Sequence, residues 1–283
     1  MSAISFEESV RATVNRIKEL LANELLCRLL DESERLANEK DGLLRAAYFT
    51  LVFREILTKF FHLSAADDDL RACSWFVADE TSKNGITRLQ RIRYFLHGGF
   101  DSAYFSDQFE IDVDDIAKDL NRKFGDLSKY VHLSEETIDV PDDKFRSLVL
   151  GSMQSLLNVL SSAYDIKNEL SQSVEAKAHD EIMSMFANET QASLDEIAQS
   201  HSIDGFYGGE VEVKFTPNWI EYHATGSVTV EQYYGSRDDS CTINCSYPVS
   251  CIFTASFESP NKIEMKPHSL VVDTESWYGA EED

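Results

Sequence analysis

The segment RLQRIRYFLHGGF, Arg88 to Phe100, places Arg91, Tyr94 and His97 at i, i+3 and i+6. On a helix such spacing draws one slanting line of side chains. A guanidinium can hold a phosphate with two parallel hydrogen bonds and neutralise charge that grows on it. An imidazole beside it can move a proton at neutral pH. Together they suffice for metal-independent cleavage of RNA through its own 2′-hydroxyl. Arg88 and Arg93 would add cations along the same segment. The structural alternative stays open: a polar helix face whose arginines pair with the chain's many acids.

A second set lies in GDLSKYVHLS, where Asp126, Lys129 and His132 repeat the same spacing. Lys129 with Arg122 could contact phosphates, His132 could act as the base, and Asp126 could orient it. A histidine at a helix end is also favoured by the helix dipole alone. A third set lies in the C-terminal part. Arg237 stands beside Asp238, and Asp273 follows a strand-like run. Carboxylates at strand ends can hold magnesium for two-metal phosphodiester cleavage, with Asp238 and Asp273 as ligands and Arg237 on the nucleic acid. Glu210, Glu212 and Lys214 alternate like half of a restriction-type Glu-x-Lys motif, but an exposed face of an antiparallel strand looks the same. Cys241 and Cys245 lack a second knuckle, so strand-packed thiols are expected there rather than structural zinc. No Walker loop, dinucleotide glycine motif or nucleophile elbow occurs in the sequence.

The chain carries 50 Asp and Glu against 26 Lys and Arg, a formal net charge of −24. Such a molecule repels nucleic acid unless its charges are segregated. They are in part: between Lys83 and Lys129 acids and bases balance, and all the excess negative charge lies outside that stretch. Apolar runs are short and broken by charge, so no membrane span is expected. The opening MSAISFEESV has no apolar signal core. The five cysteines, Cys27, Cys73, Cys241, Cys245 and Cys251, are odd in number and scattered. Reduced thiols and a cytoplasmic location are the expectation.

These residues need elements to position them. Val10, Val14, Ile17, Leu21, Leu25 and Leu29 recur at spacings of three and four, which predicts one amphipathic helix from Phe6 to Ala37. Its long apolar stripe suggests a homodimer. Further helices are predicted over Leu43–Leu63, after the capping carboxylates of SAADDDL, over Ile86–His97, and from Asp112 to about His132. Two more are predicted, Asp143 to about Ser171 and Val174 to about His201. After Gly209 the period changes to two, and β-branched and aromatic residues predict antiparallel strands. Helices followed by strands predict an α+β chain: a helical bundle over 1–203, an antiparallel β domain over 204–278, and a frayed acidic tail over 279–283.

Two resemblances follow from these residues. Arg91 to His97 satisfies the Arg-x(4–6)-His spacing of HEPN ribonucleases, with Ile92 where those proteins carry a polar residue. More broadly, RIRYFLHGGF, DVDDIAKDLNRKFGDLSKYVH, DEIAQSHSID, ATGSVTVEQYYGSRDDS and VVDTESWY together resemble the bacterial predicted pPIWI-associating nucleases. That resemblance spans about Arg88 to Tyr278. It implies a cytoplasmic prokaryotic protein of mobile defence loci that attacks RNA or DNA. It carries site roles onto Arg91, Arg93, His97, Lys129, His132, Arg237, Asp238 and Asp273. Two other function classes remain beside a nuclease effector. One is a non-enzymatic sensor or adaptor that binds proteins of a defence operon through the aromatic surface of WIEY and YYGS. The other is an inhibitor whose acidic surface mimics nucleic acid.

Overall fold

The computed structural model describes residues 4–21, 23–40, 42–132, 134–135, 137–188, 192–236 and 239–278, with backbone alone at Asn188 and Ser236. The chain is α+β, with helices first and an antiparallel sheet after them. It divides into two compact units, Met1–Ile166 and Lys167–Asp283. The sequence pattern puts the boundary near Asp204, where alternation becomes visible. Packing divides the chain earlier, inside a helix. No described helix is long and apolar enough to cross a membrane.

In the first unit α1 (Phe6–Leu20) opens on a reciprocal cap. Ser5 accepts from the Glu8 amide while the Glu8 carboxylate accepts from the Ser5 amide. The single helix predicted over Phe6–Ala37 is broken. The chain turns extended at Leu21, and Asn23 caps a new helix, α2 (Glu24–Ala37), by accepting from the Leu26 amide. An asparagine competes with the helix for backbone donors, and here it wins. Of the stripe that suggested a dimer, Val10, Val14, Ile17 and Leu21 are buried within the unit, Leu29 is half-buried and Leu25 is exposed.

Next come α3 (Arg45–Ser64), α4 (Asp67–Ala72), α5 (Arg88–His97), α6 (Ser102–Phe109) and α7 (Val113–Lys129). Aromatic rings fill the core among them. Phe49 stacks on Phe53 with centroids 5.5 Å apart, and Phe60 meets Phe95 edge-on at 4.9 Å. The two helices predicted over Asp143–His201 are largely one, α8 (Asp142–Asn188), which continues where a break was expected near Ser171. A short α9 (Ala192–Ile197) follows, and His201 already lies in a strand.

The second unit holds three long strands, β1 (Ser200–Phe215), β2 (Ile220–Ser236) and β3 (Asp239–Ala255), with short β4 (Glu264–Met265) and β5 (Val271–Val272). The order is β1-β2-β3-β4, and β5 also pairs with β3. One face is buried: Tyr222, Ala224, Val228 and Val230 of β2 stand beside Tyr247, Val249, Cys251 and Phe253 of β3. The last turns of α8 bury Leu170, Val174, Ala178 and Ile182 at helical spacing in the same unit. Ser171 and His179 reach the β1 carbonyls of Val211 and Phe206. This stripe explains why the sheet unit takes the end of α8 with it.

Candidate active site

Thr87 starts α5 by accepting from the Gln90 amide, and Gln90 answers by accepting from the Thr87 amide. The sequence pattern puts Arg91, Tyr94 and His97 on the wet side of this helix. All three are buried. Arg91, 4% exposed, donates to the Ala65 carbonyl and pairs with Asp67 across from α4. That hydrogen bond holds the Asp67 carboxyl below the usual carboxylate range.

His97, 2% exposed, sits between the rings of Trp75 at 5.4 Å and Phe105 at 6.4 Å. The polar contact of the ring is with the Phe100 backbone, which favours the charged form only weakly. Burial pushes its pKa down to about 4, a shift that nearby Asp114 opposes only in part. At neutral pH it is an uncharged core imidazole with no path to a substrate. Arg91 and His97 therefore end in different surroundings, and the line between them is packing.

Three of the other expected cations are each matched by a carboxylate. Arg93 lies 2.9 Å from Asp114, Lys129 lies 2.8 Å from Asp126, and Arg122 pairs with Asp119. Among the described residues no hydrogen bond or ion pair joins Asp126 to His132. That histidine is exposed just beyond α7, where its backbone carbonyl accepts from the Thr137 hydroxyl.

One imidazole does meet unspent positive charge. His62 ends α3 and lines a cleft of about 290 Å³ with Thr58 of the same helix, Ser82, Asn84 and Thr87 of the following loop, and Arg88 and Arg91 of α5. Arg88 lies flat on the Phe124 ring, 3.2 Å from its centre, and reaches Asn121 Oδ1 at 3.4 Å. No carboxylate pairs with it among the described residues. Arg54 approaches the same ring at 5.0 Å. Burial, and then the charge of Arg54, lower the Arg88 pKa to about 10. It remains a cation at neutral pH, one held in unfavourable surroundings that an anion would relieve. Partial burial lowers the pKa of His62 as well, and the Arg91 charge adds to that shift. The imidazole is thus neutral and basic at pH 7.

Two family models match, over residues 18–156 and 163–278, and both describe a predicted pPIWI-associating nuclease. The chain belongs to this family. No curated protein and no solved structure matches. One match ends and the other begins inside α8, close to the division between the compact units, so in this chain the first falls on the helical unit and the second on the sheet unit.

In the sheet half the expected metal ligands are only partly described. Asp238 and Arg237 lie outside the described residues. Asp273 is exposed just after β5, and its carboxylate accepts from the Glu275 amide at 2.9 Å. Among the described residues no group of three His, Cys, Asp or Glu stands close enough to hold a metal ion. Glu210, Glu212 and Lys214 all point to the exposed face of β1 while Val213 is buried. Cys241 is exposed and Cys251 is packed in the buried row of β3, where burial raises its thiol to about 12.

Sequence reasoning missed His62 because it ends an apolar run, KFFHLS, and meets Arg88 and Arg91, which lie 26 and 29 positions further along the chain. The signal that could have found it was electrostatic. It is a histidine at the end of a buried helix, followed by capping acids and then an arginine-rich helix.

Proposed function

We propose that this member of the pPIWI-associating nucleases cleaves RNA without a metal at the cleft between α3 and α5. The observation that supports this is one half-buried arginine, Arg88, without a carboxylate partner, facing the same cleft as a neutral histidine, His62. Arg88 holds a non-bridging phosphate oxygen and neutralises the charge that grows there in the transition state. His62 takes the proton from the substrate's 2′-hydroxyl. The freed oxygen attacks phosphorus, the bond to the 5′-oxygen breaks, and a 2′,3′-cyclic phosphate forms. The departing oxygen takes a proton from the imidazolium or from water. Arg91, tied to Ala65 and Asp67, positions the helix and lowers the His62 pKa but does not touch substrate.

The reading extends to context. The family's description links its members to pPIWI proteins. We place the chain as an effector of an anti-phage defence operon, working in the cytoplasm beside another protein of that operon. A second reading, a non-enzymatic sensor or adaptor, is favoured by one observation: Arg93, Arg122 and Lys129 are each neutralised by their own carboxylate.

The test is purified protein against end-labelled single-stranded RNA and DNA of one sequence, in EDTA and in magnesium. Cleavage of RNA alone, in EDTA, with cyclic phosphate ends, supports the cleft. Cleavage that needs magnesium moves the chemistry to carboxylates. No cleavage of either substrate favours the adaptor.

A further inference from the structure

The two long edges of the sheet are built differently. β1 carries the usual protections of an exposed edge. Its register with β2 shifts twice, between Ile203 and Gly205 and between Gly208 and Val211, and Glu210, Glu212 and Lys214 stand exposed along it. β3 carries none of these over half its length. β5 pairs with it only at Val249 and Ser250, and β4 only at Phe253 and Thr254. From Ser240 to Tyr247 it is hydrogen-bonded to β2 alone among the described residues, without a shift in register. Alternate backbone N–H and C=O groups on its far side therefore face solvent.

The first part of the segment is also exposed on both of its faces, before Cys245 and Tyr247 turn into the buried row. Asp239 to Asn244 are all exposed, including Ile243 at 38% and Cys241, which belong to the row that is buried further along the strand. Not one charged residue occurs from Ser240 through Ala255, in a chain whose net charge is −24. No proline interrupts it before Pro248. Thr, Ile, Cys and Tyr suit a strand. A flat, uncharged, unguarded edge is a template for another strand.

The charge distribution says which strand. Two copies of so acidic a chain repel each other wherever their ordinary surfaces meet. Edge-to-edge contact through Ser240–Tyr247 sets no charge against charge. Antiparallel pairing across a two-fold axis is self-complementary, because the same residues satisfy each other's backbone groups. Ile243 and Cys241 of one copy then cover those of the other on one face, while Thr242 and Asn244 meet on the opposite face.

We propose that Ser240–Tyr247 of β3 pairs antiparallel with the same segment of a second copy of the chain, joining the two sheets into one. This inference is independent of the catalytic reading of the helical unit. Sedimentation velocity on the whole chain, from low to high micromolar concentration, tests it. The wild type should pass from one to two chain masses. A Thr242→Lys, Asn244→Lys variant sets like charges beside one another across the axis. It should raise the dissociation constant at least about tenfold while its circular dichroism stays unchanged. Should that variant misfold, Ile243→Lys serves the same purpose with one substitution. Amide exchange at Ser240–Tyr247 should slow as concentration rises. A wild type that stays monomeric overturns the proposal, even if the edge captures another protein. So does a dimer that survives in either folded variant.

Discussion

Replacing His97 by phenylalanine separates a core histidine from a catalytic one. In the folded chain the ring is 2% exposed, and burial holds its pKa down at about 4 against an ordinary 6.5. The unfolded chain therefore binds a proton between pH 6.5 and 4 that the folded chain refuses. Stability attributable to this residue is intact above pH 6.5 and declines as pH falls through that window, by about 3 kcal/mol in all. Phenylalanine has no proton to bind, so His97→Phe should lack this part of the acid sensitivity. At pH 8 its stability should stay within about 1 kcal/mol of the wild type, because the contact with the Phe100 backbone is lost while buried polar atoms leave the core and the ring contacts with Trp75 and Phe105 remain. Urea unfolding of wild type and variant at a series of pH values measures the difference directly. RNA cleavage should be unchanged. A variant that unfolds with the wild-type pH dependence, or that folds and loses all cleavage, would refute the burial argument.

Other substitutions follow from the same geometry. Arg91→Met leaves the buried Ala65 carbonyl without its donor, while Asp67 keeps Asn84 and Arg71, and should lower the urea midpoint of the helical unit by an amount equivalent to about 1–3 kcal/mol. Asp67→Asn should cost less, since that carboxylate is partly exposed, and should remove a contribution that is present above the ordinary carboxylate pKa of 3.8 and lost as pH falls through the lowered folded value. Arg88→Met should leave melting unchanged or slightly raised, because a buried cation is removed. It should reduce single-turnover cleavage about 100-fold. In the sheet unit Gly209→Ala puts a methyl group 1.7 Å from the Thr225 carbonyl oxygen and should destabilise by about 3 kcal/mol. Gly125→Ala, in open space on α7, should stabilise by about 0.5–1 kcal/mol, and thermal melts of the pair check both.

The fold class was legible because it rests on local periodicity. Val10, Val14 and Ile17 at helical spacing, and Val211 and Val213 alternating with Glu210, Glu212 and Lys214, carry their own signal. Boundaries were less so. Asn23 reads as an ordinary polar helix residue until its side chain is seen capping α2, and nothing between Ser171 and Val174 breaks α8 despite the polar run there. The candidate site was hidden for a different reason. Spacing along α5 puts Arg91 and His97 on one line, but whether that line faces water depends on Asp67, Trp75 and Phe105, which come from elsewhere in the chain. The pairing of Arg93 with Asp114 and the meeting of His62 with Arg88 are likewise long-range events that periodicity does not encode.

The central claim is that His62 is the proton-transfer group of a metal-free phosphodiester site. It is tested most directly by the pH dependence of RNA cleavage in EDTA, measured for the wild type and for His62→Gln at matched stability. The account predicts a wild-type rate that climbs with pH through a pKa below 6.5 and then levels, and a variant that folds normally, binds RNA and does not cleave it. A His62→Gln protein that cleaves at the wild-type rate with the same pH profile would contradict it.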